Sequence, residues 1–92
     1  YEDYPFRDTR WCVIRHRKNK KGFAWIFEKD GYLWVNIKCD SDTIHFWRDA
    51  FESVLPGYHM NKEHWNSIIL DGTVPDQDIR MMIGSSYDLT SP

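Results

Sequence analysis

The chain of 92 residues is 41% hydrophobic and 16% aromatic with a net charge of −2, which fits one domain over residues 1–92 that buries roughly 60–65% of its chain surface around a single core. No run of about 18 apolar residues and no basic-apolar leader occurs in this sequence, so neither a helical membrane span nor a signal peptide is expected and a cytoplasmic protein is. Charge is polarised, with nine Lys/Arg against six Asp/Glu in residues 1–40 and three against eight in residues 41–92, so nucleic acid would have to meet a local basic patch, not a basic domain.

Residues 1–10 read as an irregular lead-in, because Pro5 disfavours helix at Tyr4. Trp11 to His16 and Phe23 to Lys29 are rich in aromatic and β-branched residues. They flank Arg17-Lys18-Asn19-Lys20-Lys21-Gly22, which has turn composition, so a hairpin with a basic tip is predicted. Asp30-Gly31 favours a type I′ turn into Tyr32 to Cys39, where polarity alternates. A two-residue loop pairs Lys29 with Tyr32. Counting outward gives Phe27 with Trp34, Ile26 with Val35, Trp25 with Asn36 and Ala24 with Ile37. One face then carries Ala24, Ile26, Leu33, Val35, Ile37 and Cys39, suited to covering helices. The other carries Trp25, Phe27, Lys29, Tyr32, Trp34, Asn36 and Lys38. Since two helices cover one face only, the aromatic face is expected to stay partly exposed or to be covered by a partner or a second copy. Cys12 and Cys39 form no CxxC pair and read as small buried hydrophobes.

Asp40 or Ser41 can cap a helix running through Glu52, with Ile44, Trp47, Ala50, Phe51 and Val54 at helical spacing. His45 with Asp49 and Arg48 with Glu52 are one turn apart and read as a solvated face. Leu55-Pro56-Gly57 ends the helix. A short strand near Tyr58 to Met60 and a longer one from Trp65 to Leu70 should extend the sheet. Asp71-Gly72 turns the chain, and Thr73-Val74-Pro75-Asp76 looks like a capping box for a last helix. Its inward stripe would be Ile79, Met82, Ile83, Ser86 and Tyr87, and Gly84 marks a weak point or a close-packing position. The resulting expectation is an α+β fold in two layers, with about five antiparallel strands in the order β-β-β-α-β-β-α and the helices on one face.

The least generic stretch is Pro56 to Trp65. Together with Leu70-Asp71-Gly72-Thr73-Val74-Pro75-Asp76, Ser85-Ser86-Tyr87, Tyr4-Pro5-Phe6 and Ile37-Lys38-Cys39, it resembles the MmcQ/YjbR family of small bacterial proteins over nearly the whole chain. The resemblance implies a two-layer α+β fold, a double-wing shape, DNA binding and a likeness to secretion-chaperone folds. The family usually has a helix before this point; its absence leads to the expectation of a truncated chain or of a domain excised from a longer protein.

Three constellations could carry chemistry. His45, His59, His64 and Cys39 match no dense metal-ligand spacing, so neither a metal nor another cofactor is expected. His64 lies near Glu63 and Asp71 in sequence but has no linked hydroxyl or thiol nucleophile, so an enzyme is not expected. His59, Asn61, Lys62, His64 and Trp65 read instead as a structural loop whose polar groups satisfy the backbone while Trp65 plugs a core edge. The third is the tip: Arg15, Arg17, Lys18, Lys20 and Lys21 are dense enough to contact several phosphates. The functional expectation is a non-enzymatic module that binds duplex DNA weakly and in a salt-sensitive way. The alternative is a protein-interaction module that uses the aromatic face of Trp25, Phe27, Tyr32 and Trp34, with a protein partner and no membrane contact.

Overall fold

A computed structural model describes residues 1–5 and 10–92. In chain order they form β1 (Glu2–Asp3), β2 (Trp11–Arg15), β3 (Gly22–Lys29), β4 (Tyr32–Lys38), α1 (Ile44–Ala50), β5 (Val54–Pro56), β6 (Trp65–Ile69) and α2 (Asp76–Thr90). The described strands make one sheet of six in the order β1-β2-β3-β4-β6-β5, every neighbour antiparallel.

The register around the β3–β4 turn is the one the sequence predicts: Lys29 pairs with Tyr32, Phe27 with Trp34, Ile26 with Val35 and Trp25 with Asn36. Asp30 at φ 53° and Gly31 at φ 81° supply the two left-handed positions that a type I′ turn requires. Because paired residues share a face, the pairing of β4 with β6 puts Asn66 and Ile68 with Ile37 and Val35, and Ser67 with Asn36. Both helices pack on the aliphatic face. Ala24, Val35, Ile37, Cys39, Val54 and Ile68 meet Ile44, Val74 and Met82 in one buried cluster, with Trp47, Phe51, Ile79 and Ile83 closing its margin. Each fully buried Ile or Val contributes about 1.5–3 kcal/mol by leaving water.

Several expectations need correction. The lead-in holds a short strand, β1, because Glu2 and Asp3 pair with Ile14 and Val13; its part over residues 6–9, including the Phe6 of the motif, lies outside the described residues. The first helix stops at Ala50, and Val54, expected on its inward stripe, is buried in β5. Of α1 only Ile44 is buried and Ala50 is exposed, since a two-turn helix has room for little of the predicted stripe. The strand expected at Tyr58 to Met60 lies earlier, at Val54–Pro56, and residues 57–60 turn back over the sheet.

Asp40 accepts from the Asp42 and Thr43 amides at 3.0 and 2.9 Å, so it closes the turn ahead of α1, while the N-cap residue Thr43 gives no side-chain cap. Thr73 caps no helix either. Its hydroxyl donates to Asp71 Oδ1 at 2.7 Å, and α2 begins at Asp76 after the N-cap residue Pro75, with Asp76 and Asp78 in its first turn. On α2, Met82, Ser86 and Thr90 are buried, whereas Tyr87 is 48% exposed. Gly84 faces open space and is not a close-packing position.

At the outer edge, Val54 gives its N–H to Phe51 O at 3.1 Å and Pro56 has none. The β5 edge thus offers no donor to an added strand.

Candidate functional site

The basic tip is a tight connection docked on the end of α2. His16 N–H donates to Lys21 O at 2.9 Å and Lys20 N–H to His16 O at 3.0 Å, with Lys20 at φ 63°. The Asn19 side chain serves both sides of the turn, accepting from Lys21 N–H at 3.0 Å and donating to Thr90 O at 2.8 Å. Buried His16 places Nε2 2.7 Å from Thr90 Oγ1, and its ring packs on Tyr87 and Phe23 with centroids 4.3 and 5.0 Å apart. These contacts hold the turn while Arg17, Lys18, Lys20 and Lys21 stand exposed.

Arg15 does not join them. It pairs with Asp3 at 2.8 Å, donates to Lys20 O at 2.9 Å and lies 5.6 Å from the Trp25 ring centre. The tip therefore presents four cations, and β1 accounts for the fifth. Sequence counting missed this because nothing in Glu2–Asp3 announces a strand.

The aromatic face is largely covered by the chain itself. Trp11 stacks on Phe27 with centroids 4.2 Å apart, and Tyr58 lies 5.5 Å from Phe27 and 6.3 Å from Trp34. Phe27 is 2% and Trp34 7% exposed, whereas Tyr32 remains 51% exposed and Trp25 half-buried. The face thus stays partly exposed, as expected, at Tyr32 and Trp25, while its centre is covered not by a partner but by the chain's own turn after β5. Lys29 completes the lid, its ammonium 5.3 and 5.5 Å from the Trp34 and Tyr58 ring centres.

Two fully buried polar side chains pin that cover. Asn36 Nδ2 donates to Tyr58 O at 2.8 Å, Ser67 Oγ accepts from Tyr58 N–H at 2.8 Å, and the Ser67 hydroxyl donates to Asn36 Oδ1. Sequence reasoning passed over this pair: each residue looks like an ordinary polar position in a strand, and only the β4–β6 register sets them side by side.

In the motif loop, Asn61 Oδ1 accepts from Glu63 N–H at 2.9 Å and Asn61 O from Trp65 N–H at 3.0 Å. Lys62 Nζ donates to Gly57 O at 2.9 Å, and His64 O accepts from Cys39 N–H at 2.8 Å. The His59 and His64 side chains are exposed; His59 adopts φ 59° with its ring 4.1 Å from Tyr58 and 6.5 Å from Trp11. Trp65 is half-buried, with its Cβ beside Gly57, where an added Cβ would come within 2.8 Å. This pattern supports a scaffold loop.

Arg48, expected on a solvated face with Glu52, turns inward instead. Its Nε donates to Asn66 Oδ1 at 2.6 Å and its Nη2 to Lys62 O and, at 3.3 Å, to Trp65 O. It thereby ties α1 to the motif loop. Burial pushes the nearby Cys39 thiol up to about 11. Among the described residues no group of three or more His, Cys, Asp or Glu side chains is placed to hold a metal ion.

These features define a small α+β domain with one antiparallel sheet, two helices on a single face and no described helix long and apolar enough to cross a membrane. A sequence model of the YjbR family matches residues 1–89. The chain is 38% identical to the uncharacterised protein YyaQ of Bacillus subtilis, covering 96% of this chain and 83% of that protein. It is 32% identical to the uncharacterised YjbR of Escherichia coli, over 84% of this chain and 65% of the relative. A Pseudomonas syringae crystal structure superposes with a TM-score of 0.88 at 26% identity, covering 98% of this chain and 86% of that one. A Deinococcus radiodurans protein with a DUF419 domain gives a TM-score of 0.84 at 32% identity, covering 97% and 66%. The chain belongs to the YjbR family, whose named relatives here carry no assigned activity.

Proposed function

We propose that the protein is a non-enzymatic binding module that grips the phosphate backbone of duplex DNA with the tip of the β2–β3 hairpin. The observation that carries this reading is the splay of Arg17, Lys18, Lys20 and Lys21 on a turn fixed from both ends, with no carboxylate paired to any of the four among the described residues. Fixing the backbone lowers the ordering cost of binding, and unpaired ammonium and guanidinium groups are free to release phosphate counterions. The acidic remainder, with Asp76 and Asp78 at the far end of α2, repels the duplex elsewhere and so orients the tip toward it.

A protein-docking role for the aromatic face draws less support, since Phe27 and Trp34 already have Trp11 and Tyr58 as cover.

The test is an NMR titration with a short duplex, run beside a variant carrying serine at positions 17, 18, 20 and 21. Amide shifts centred on residues 16–22 and loss of most affinity in the variant, with its melting temperature retained, are expected. Unchanged affinity in the variant overturns the proposal.

A further inference from the structure

We propose that the cleft between α1 and the Asn61 to His64 turn binds a small organic anion, an apolar body bearing one carboxylate or phosphate. The cleft holds about 390 Å³, and Ile44, His45, Arg48, Lys62, Glu63 and His64 are among the residues that line it.

Arg48 supplies the charge that would hold the anion. This half-buried guanidinium is held by Asn66 Oδ1, Lys62 O and Trp65 O, all of them neutral acceptors. Among the described residues it pairs with no carboxylate, and its Nη1 has no hydrogen bond. Lys62 is in the same position, its ammonium satisfied only by Gly57 O at 2.9 Å. A cation fixed in place by carbonyl dipoles and left without a counter-ion is a receptor for an anion. The fixing is firm, because Asn66 is fully buried and donates in turn to Ile44 O at 3.1 Å.

The exposed His45 and His64 side chains add ring nitrogens at the rim. The aliphatic stems of Arg48 and Lys62, over a floor closed by buried Ile44, give an apolar surface that a bare inorganic ion cannot use. Glu63 is the opposing charge; it stands exposed in the lining and weakens the site. This cleft is separate from the hairpin tip, sharing no residue with it.

The experiment follows amide shifts on titration with phenyl phosphate and with benzoate at 150 mM salt, with inorganic phosphate as the comparison. Expected are saturable shifts over residues 41–48 and 62–64, and tighter binding of phenyl phosphate than of inorganic phosphate. Because Arg48 also ties α1 to the loop, exposed positions decide the matter: Glu63→Gln should tighten binding about two- to fivefold, the gain from removing one rim charge, and His45→Ala with His64→Ala should weaken it. Shifts confined to residues 17–21, equal binding of inorganic phosphate, or no effect of Glu63→Gln would overturn the proposal.

Discussion

Ser67→Ala removes one oxygen and should loosen the cover of the aromatic face. The Ser67 hydroxyl accepts from Tyr58 N–H at 2.8 Å and donates to Asn36 Oδ1, and both Ser67 and Asn36 are 0% exposed. Alanine leaves one donor and one acceptor without a partner, each worth about 1–3 kcal/mol when buried. Tyr58 is half-buried, so its amide falls at the low end. The expected loss is about 2–4 kcal/mol, which for a domain of this size lowers Tm by about 8–30 °C. Asn36 keeps its 2.8 Å bond to Tyr58 O, so the turn loosens without leaving, and Trp34 emission should move to the red. Urea unfolding followed by tryptophan fluorescence and far-UV circular dichroism measures the change, with the exposed Ser85→Ala as a control expected within about 0.5 kcal/mol of the parent. A Ser67→Ala protein as stable as that control would refute the lock.

Gly84 is exposed in the middle of α2, with nothing within 4 Å of an added Cβ. Gly84→Ala should therefore stabilise by about 0.5–1 kcal/mol, read by urea or thermal unfolding. Hydrogen bonds from Ser53 and Thr73 hold the Asp71 carboxyl below its usual 3.8. Its contribution is complete above the unfolded value and is lost as pH falls through the lower folded one, so Asp71→Asn should flatten the acid limb of a Tm-against-pH curve. The Cys39 thiol, raised to about 11 chiefly by burial, should resist iodoacetamide at pH 8 in the native protein and react after unfolding in urea, as peptide mass spectrometry would show.

The turn and register of the second hairpin were legible because Asp30-Gly31 fixes both, although Leu33, expected under the helices, is 52% exposed near the turn. The α2 stripe was legible from its period, apart from Tyr87 at the margin. What escaped were features set by contacts between distant segments. Residues 57–60 cover the aromatic face only because Asn36 and Ser67 meet across β4 and β6, and no local pattern encodes that meeting. Arg48 and Glu52 have the spacing of a surface ion pair, yet carbonyls of the motif loop and Asn66 draw the guanidinium inward. Arg15 falls within the run of cations in sequence and is lost to the tip through Asp3, on a strand too short to signal itself. Trp65, expected as a core plug, sits half-buried on β6, so its truncation should cost less than the roughly 3–5 kcal/mol of a fully buried tryptophan.

The salt dependence of duplex binding counts the phosphates that the hairpin tip engages. Four phosphate contacts from Arg17, Lys18, Lys20 and Lys21 predict a slope of log K against log salt no steeper than about −3.6, or about a 150-fold loss of affinity between 50 and 200 mM salt. Each of the four replaced by serine should make the slope shallower by about 0.9. No binding at 50 mM salt, or a slope that the four substitutions leave unchanged, would contradict the account.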